Sequence, residues 1–308
     1  MRALSYREKN TAIYRLNPVV KLAWGAIILV MSLIFDRPLY IVALLVAVVI
    51  LLKSANVWRE WIVVLKLSLW LGASIIVINT FVSCHGAHVL VVAPFTLPVL
   101  GSPVITLEAI AFGAVMAVKL LVIISAFAFI NLTVHPDDIM SVLIKMKLPY
   151  KSVLVTSLST RFIPCLIEDV QRINDAYRTR GVLLDTGNRF RKLKNQAGII
   201  IPLLSNSLDR AVQVAEAMEA RAFGTGQKRT FYRDIKFSRM DCMILAFALF
   251  PLGAGIMIQA FDYGGYEYYP NLQAIDFSGF TLALLGVLTI LLLAILPLAF
   301  LQRRIELD

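Results

Sequence analysis

Two arginines lie at the ends of amphipathic stretches, each between small or neutral neighbours. The first is in Thr179-Arg180-Gly181 and the second in Ala220-Arg221-Ala222. An arginine at a helix end projects its planar guanidinium beyond the last turn, where it can bind a partner's carboxylate through two hydrogen bonds. The same residues also suit ordinary C-terminal charges, which stabilise a helix by about 0.3–1 kcal/mol. The residues by themselves leave both interpretations open.

A second group of residue types could bind a transition metal: Cys84, His85 and His88. A soft thiolate and two imidazoles suit such an ion, and one helical turn or a tight loop would bring His85 and His88 together. A fourth ligand is missing, and an ordinary polar loop explains the short segment better. We therefore expect no metal site, and these three residues are the candidate ligands if one exists.

Lys119 lies inside an apolar stretch, where a charge suggests either a functional role or a position facing other helices. Glu108 precedes it by three helical turns on roughly the same face. No pair of acids or histidines in the apolar segments resembles a proton relay, which disfavours a secondary transporter. The sequence Gly224–Lys228 matches a phosphate-binding loop only superficially. We therefore expect that the chain neither hydrolyses ATP nor binds a cofactor directly.

The composition is that of an integral membrane protein. Of the 308 residues, 59% are hydrophobic and 16% are charged, whereas a soluble domain has nearer 45–50% and about 25%. The mean hydropathy is +0.77. Three cysteines lie far apart, with no spacing that indicates a disulfide framework or a zinc site.

Six stretches are apolar enough to be spanning helices. Their approximate bounds are Val19–Phe35, Leu39–Leu52, Trp61–Val82, Val104–Asn131, Met243–Ala260 and Phe277–Leu301. Basic residues concentrate before the first stretch, between the second and third, between the fourth and fifth, and after the sixth. The other loops carry almost none, so we predict both termini on the cytoplasmic side. The N-terminus lacks the features of a cleavable signal peptide.

The outer loops and the fourth stretch carry further patterns. Residues 89–100 are β-prone and broken by prolines, which favours a hairpin or a re-entrant segment. Small residues occupy every fourth position along part of the fourth stretch: Ala109, Gly113 and Ala117. They form a face suited to close helix packing. Four tyrosines between the last two stretches favour an aromatic belt at the headgroup level over a ligand cage: Tyr263, Tyr266, Tyr268 and Tyr269.

The long interruption between the fourth and fifth stretches is strongly basic, with twice as many basic as acidic residues from Lys145 to Asp241. Apolar residues recur there at helical spacing in two series. The first series includes Leu158, Phe162, Leu166, Ile167, Val170 and Ile173, and the second Ile200, Leu204, Leu208, Val212 and Ala215. We therefore predict an all-α membrane protein with three parts: a four-span bundle (1–131), a cytoplasmic region of amphipathic helices (132–240) and two C-terminal spans (241–308).

A chain of short motifs in this region resembles the transmembrane coupling subunit, the T component, of energy-coupling factor transporters, also described as cobalt-transport Q-type membrane proteins. The motifs are Thr133–Ile139, Met146–Pro149, Thr160–Pro164 with Glu168, Ala176–Gly181 and Ala217–Gly224. The resemblance implies that Thr179-Arg180-Gly181 and Ala220-Arg221-Ala222 are the two ATPase-docking motifs. Members commonly have glycine where this chain has Ala222. The second helix is therefore expected to end differently from that of other members, with Gly224, two residues later, as a candidate replacement.

The resemblance also implies partners and a location. A T component works with two ATP-binding cassette ATPase subunits, which bind ATP and Mg²⁺, and with a small substrate-binding membrane protein, the S component. The expected assembly is an importer of a vitamin or a transition-metal ion in a prokaryotic cell membrane, with no role in nucleic-acid binding and no catalysis by this chain. The S component selects the cargo, so this sequence does not name it.

Two other functions fit the composition. The basic insert could recruit an anionic lipid to a polytopic membrane enzyme, which predicts turnover by the chain without partners. The chain could also be a permease that binds its own substrate. A chain that binds neither vitamin nor metal ion, yet co-purifies with other membrane-associated proteins, would exclude both.

Overall fold

The computed structural model describes residues 9, 11–83, 86–92, 104–145, 149–181, 189–224, 239–261, 263–270, 272–273 and 279–297. The chain divides into two compact units. Unit 1 comprises Met1–Ile139 and Ile235–Asp308, and unit 2 comprises Met140–Asp234. Unit 2 is therefore inserted into unit 1, with one chain connection entering it and one leaving it.

The described part of the chain is mostly helical. In chain order the elements are α1 (Ala12–Arg15), α2 (Pro18–Ile34), α3 (Pro38–Ser54), α4 (Trp58–Val82), β1 (Val89–Val92), β2 (Val104–Thr106), α5 (Leu107–Thr133), α6 (Pro136–Lys145), α7 (Tyr150–Thr179), α8 (Arg189–Ala220), α9 (Arg239–Ala260) and α10 (Gly279–Leu293). Prolines occupy the first helical position of α2 and α3, where the missing N–H has no intrahelical partner in any case.

An apolar helix lies in each of the six stretches predicted to span the membrane. Three of them are long and apolar enough to cross a bilayer: Trp58–Val82, Leu107–Thr133 and Asp241–Ala260. Helices α2 and α3, and the apolar segment Thr281–Pro297 that contains most of α10, are shorter. A membrane protein is thus established, while six crossings with two cytoplasmic termini, and the boundaries of the three predicted parts, stay predictions.

The predicted start of the fourth stretch at Val104 is wrong. Residues Val104–Thr106 form strand β2, and the helix begins at Leu107. The Thr106 side chain accepts a hydrogen bond from the Ala109 N–H, 3.3 Å away, which caps α5. Strand β2 pairs with β1 in antiparallel register, so the described residues include a two-stranded sheet and are not purely helical. The β-strand character predicted for residues 89–100 is confirmed for Val89–Val92, whose partner strand lies beyond that range. Residues 93–100 lie outside the described residues, so the choice between a hairpin and a re-entrant segment there stays a prediction.

Unit 1 has one continuous apolar core. Large side chains from α2, α3 and α5 are fully buried in it, among them Trp24, Ile28, Leu44 and Phe129. The predicted small-residue face packs α5 against α4. A Cβ added at Gly113 would lie 3.0 Å from the Ile76 Cα. These small residues let the two backbones approach closely.

Candidate functional site

The first arginine motif is the C-terminal end of α7. Arg180 is the C-cap residue, and its N–H donates to the Tyr177 carbonyl at 3.2 Å. Gly181 follows with a φ of +77° and donates its N–H to the Arg178 carbonyl at 3.0 Å. A left-handed glycine directly after the cap is a common way for a helix to stop. The predicted helix end at Gly181 is confirmed.

The second motif ends α8 in the same way. The Phe223 N–H donates to the Met218 carbonyl at 2.9 Å, and the Ala222 N–H donates to the Glu219 carbonyl at 2.8 Å. These two bonds form a Schellman motif, in which Arg221 is the C-cap. Ala222 itself takes the left-handed conformation, with a φ of +54°. The substitution of the family's glycine therefore leaves the helix end intact, at a cost of about 1–2 kcal/mol for an L-residue in this region.

Both arginine side chains are exposed and unpaired within the part of the chain that the structure describes. Arg180 and Arg221 are exposed, and neither side chain forms an ion pair or a hydrogen bond with a residue that the structure describes. Their charges also interact favourably with the C-terminal end of the helix dipole. Each helix therefore ends in an exposed cation of fixed backbone geometry.

A buried acid joins the two helices that carry these motifs. Asp169 of α7 is 5% exposed, and its Oδ2 lies 2.9 Å from Nη2 of Arg210 on α8. Arg172, one turn further along α7, lies 3.7 Å from the other carboxylate oxygen and is largely exposed. The Tyr177 hydroxyl adds a hydrogen bond to the Gly198 carbonyl at 3.3 Å. These contacts set the spacing of the two helices along much of their length.

Asp169 is not among the site residues that the sequence predicts. Its position carries a signal, however, because it continues the helical series that the half-buried residues of α7 follow. That series is Leu158, Phe162, Leu166, Asp169, Ile173 and Tyr177. A carboxylate in register with an apolar stripe must find a cation when the stripe packs against another element. Arg210 occupies the matching half-buried series on α8, which is Leu203, Ser207, Arg210, Val214 and Met218.

A second apolar stripe on each helix faces outward. On α8 it comprises the predicted series Ile200, Leu204, Leu208 and Val212 together with Ile201, with exposures from 56% for Val212 to 77% for Ile201. On α7 it comprises Ile163, Ile167 and Val170. The α7–α8 contact therefore uses the other face of each helix. Contiguous exposed apolar surface of this kind marks an interaction site.

The candidate metal ligands precede or join strand β1 in the chain. Cys84 and His85 lie outside the described residues. The His88 Nδ1 lies 2.8 Å from Oε1 of the buried Glu108, and the His88 N–H donates to the same oxygen at 3.1 Å. Within the described residues, no three His, Cys, Asp or Glu side chains come together as a metal site.

Lys119 pairs with a residue that sequence reasoning did not suggest. Its Nζ lies 3.0 Å from Oδ1 of Asp36, in the turn between α2 and α3, and 3.4 Å from the Leu33 carbonyl oxygen. Glu108, the acid on its own helix, contacts His88 instead. Lys119 thus fastens α5 to the α2–α3 turn, a packing role for an intramembrane charge.

Two of the tyrosines before α10, Tyr268 and Tyr269, pack on protein. The Tyr268 hydroxyl donates to the Asp36 carbonyl at 2.7 Å, and its ring meets Phe112 edge-on. The Ser83 hydroxyl donates to Tyr269 at 2.7 Å. Burial, with smaller effects from Tyr266 and Asp36, raises the pKa of Tyr268. The segment covers the α2–α3 turn in addition to any headgroup contact.

The fold and the two helix ends define a class: a membrane protein that carries an exposed pair of arginine-ended helices. Comparison with known proteins identifies it further. The family model described as cobalt transport protein, CbiQ, matches residues 9–232, a range that includes both motifs, and the chain belongs to this family.

Two relatives match this chain over nearly the whole of their own length. The energy-coupling factor transporter transmembrane protein EcfT of Bacillus selenitireducens is 32% identical over 273 residues, which are 83% of this chain and 96% of that protein. The protein of the same name from Acidaminococcus fermentans is 26% identical over 257 residues, which are 80% of this chain and 93% of its own length. The chain is therefore a transmembrane energy-coupling component of a transporter, and not a catalytic enzyme.

Proposed function

We propose that this chain transmits ATP-driven movement of two ATP-binding cassette ATPase subunits to a small substrate-binding membrane subunit. The observation that supports this most strongly is the matched construction of the two helix ends. Arg180 and Arg221 are both exposed C-caps, each followed by a residue in the left-handed conformation. Two such ends on a joined helix pair suit two copies, or two homologous copies, of one partner.

Each arginine inserts into an acidic groove on one ATPase subunit. A guanidinium offers five donors in a planar fork and binds a carboxylate through two of them. Truncation of one member of such a buried pair costs about 2–5 kcal/mol, or ~30- to several-thousand-fold in affinity. The ATPase subunits bind ATP and Mg²⁺ and hydrolyse the nucleotide, while this chain binds neither.

The outward apolar stripes of α7 and α8 hold the substrate-binding membrane subunit. Each exposed Leu or Ile that a partner covers contributes about 25 cal/mol per Å² of apolar surface buried. When the ATPase pair closes, the two arginine ends move, and the joined helices carry the stripes with them. Reorientation of the captured subunit then releases its cargo, a vitamin or a transition-metal ion, across a prokaryotic cell membrane.

Affinity purification of the tagged chain in mild detergent tests the proposal. We expect the unsubstituted chain to co-elute with two ATPase subunits and a small membrane protein. Arg180→Glu and Arg221→Glu should each reduce ATPase recovery at least ~30-fold, and the double variant should abolish it. Lys151→Glu, at the other end of α7, is the matched control, because Lys151 is exposed and the change in charge is the same.

Unchanged ATPase recovery with the double variant would refute the docking role of the two arginines. Equal loss with Lys151→Glu would also refute it, because net charge would then explain the binding. Elution of the chain without any partner would contradict the coupling function as a whole.

A further inference from the structure

A buried polar cluster surrounds the N-terminal end of α2. Its two central residues, Asn17 and Lys21, are 7% and 3% exposed and lie one helical turn apart. We call this pair the α2 anchor. Buried groups of this kind persist only where hydrogen bonds compensate for lost hydration, and the partners of the α2 anchor come from two distant parts of the chain.

Lys21 binds the end of α5. Its Nζ donates to the Thr133 carbonyl oxygen at 3.2 Å and to the Tyr14 carbonyl oxygen at 2.8 Å. The Tyr14 hydroxyl donates to the neighbouring Leu132 carbonyl at 2.7 Å. The last carbonyls of a helix have no intrahelical donor and attract cations. Lys21 and Tyr14 together therefore fix the C-terminal end of α5 to α2.

Asn17 binds the start of α9. Its Oδ1 accepts the Val19 N–H at 3.1 Å and so caps α2, while its Nδ2 donates to Oδ2 of Asp241 at 3.2 Å. Asp241 is 3% exposed and lies in the first turn of α9. One amide group thus serves two helices, with its oxygen used by α2 and its nitrogen by α9.

The positions of these contacts in the chain bear on how movement is transmitted to α2. Helix α5 leads towards the connection that enters unit 2 at Met140, and α9 follows the connection that leaves unit 2 at Asp234. The end of α5 and the start of α9, which border these connections in the chain, are therefore both fastened to the first turn of α2. A pull on the end of α5 or on the start of α9 therefore reaches α2, whose buried residues include Trp24 and Ile28 in the core of unit 1.

We propose that the α2 anchor is the point at which movement of unit 2 enters the membrane bundle, and that it makes α2, the end of α5 and the start of α9 move together. This rests on the proposed function only for the source of the movement, the ATPase subunits. Asn17 and Lys21 are positioning residues in this role, because they act through the helices that they join.

A distance measurement tests whether α2 and α9 move together. Nitroxide labels are placed on the native Cys242, which is exposed beside Asp241, and on Ala26→Cys, which is exposed on α2. Cys84 and Cys165 are changed to serine so that only these two sites react. Pulsed electron paramagnetic resonance then gives the label separation in lipid nanodiscs, for the complex with its ATPase subunits, without nucleotide and with ATP and vanadate.

Asn17→Asp is the decisive variant. It keeps an oxygen that caps Val19 but replaces the amide donor by a carboxylate that repels Asp241. We expect one narrow distance in the unsubstituted background, unchanged by nucleotide, and a second population displaced by at least about 2 Å in the variant. Asn17→Asp combined with Asp241→Asn exchanges donor and acceptor and should restore the single distance.

Three results would overturn the proposal: a nucleotide-dependent distance in the background, a background-like distance with Asn17→Asp, or no restoration by the exchanged pair. If Asn17→Asp does not accumulate, Asn17→Ser, which keeps a capping oxygen but replaces the amide NH₂ by a shorter hydroxyl, is expected to give the same second population. If no ATPase co-purifies, the proposed function fails separately. Nucleotide-free spectra of the chain alone then decide whether Asn17 holds α9.

Discussion

Removal of the Arg210 guanidinium should loosen the α7–α8 pair far more than removal of the Arg172 guanidinium, although both contact Asp169. Arg210 lies 2.9 Å from the carboxylate, while Arg172 lies 3.7 Å away and is 78% exposed. Loss of one partner from a fully buried pair costs about 3–5 kcal/mol. The Arg210 side chain is 35% exposed, so solvent screens the pair. We therefore expect Arg210→Met to destabilise the α7–α8 contact by about 2 kcal/mol.

The exposed, longer contact of Arg172 is worth much less. Surface pairs of this kind typically contribute 0–1 kcal/mol, so we expect Arg172→Met to change the stability of the pair by less than about 0.5 kcal/mol. Because the two variants delete the same group from the same acid, differences in side-chain volume and net charge cancel. The comparison isolates what burial and distance add to one ion pair.

Hydrogen–deuterium exchange of the full chain in detergent measures the effect. Amides of α7 and α8 near the pair should exchange ~30-fold faster with Arg210→Met, which corresponds to 2 kcal/mol of local opening, and less than ~3-fold faster with Arg172→Met. Asp169→Leu combined with Arg210→Met should recover most of the protection, since no buried charge is then left unpaired. Equal acceleration by the two arginine variants would refute the reasoning.

Two further predictions concern close backbone geometry. Ala222→Gly should stabilise the end of α8 by about 1 kcal/mol, because glycine adopts the positive φ of this position without a Cβ clash; slower exchange of the amides before Arg221 would show this, and faster exchange would contradict it. Gly113→Ala should lower the free energy of unfolding of unit 1 by about 1–3 kcal/mol, since the new Cβ would lie 3.0 Å from the Ile76 backbone. The control, Gly253→Ala in α9, meets nothing within 4 Å and should be neutral or slightly stabilising, and an equal loss in both variants would exclude helix packing as the cause.

Sequence periodicity predicted the helices well because long apolar or amphipathic series have few other structures. The end of α7 was predictable from Arg180 and Gly181, since glycine after a basic last turn is a local signal. The start of α5 was not, because the β-branched residues Val104, Ile105 and Thr106 are apolar enough to extend a spanning stretch. The hairpin partner and the Thr106 cap decide that boundary, and neither is visible in hydropathy.

Side-chain partners were the least predictable feature. Lys119 and Glu108 share a helix face, yet each pairs with a residue far away in sequence, Asp36 and His88 respectively. The contacts of Asn17 and Lys21 join segments more than 100 residues apart. Such pairs depend on tertiary packing, for which a single sequence gives residue types but no distances. The outward direction of the α8 stripe was likewise undetermined, because periodicity identifies an apolar face without saying what covers it.

The strained end of α8 bears on the function of Arg221. Gly181 allows α7 to stop at no steric cost, whereas Ala222 adopts the same left-handed region with a Cβ present. Strain of this size persists where the surrounding structure determines the conformation, and it is concentrated at functional sites. Here the Schellman hydrogen bonds of Ala222 and Phe223 hold the left-handed conformation of Ala222. This conformation fixes Arg221 as the C-cap of the helix. A chain that keeps this geometry without glycine retains the same exposed arginine end on both helices, which is what the proposed docking on two similar partners requires.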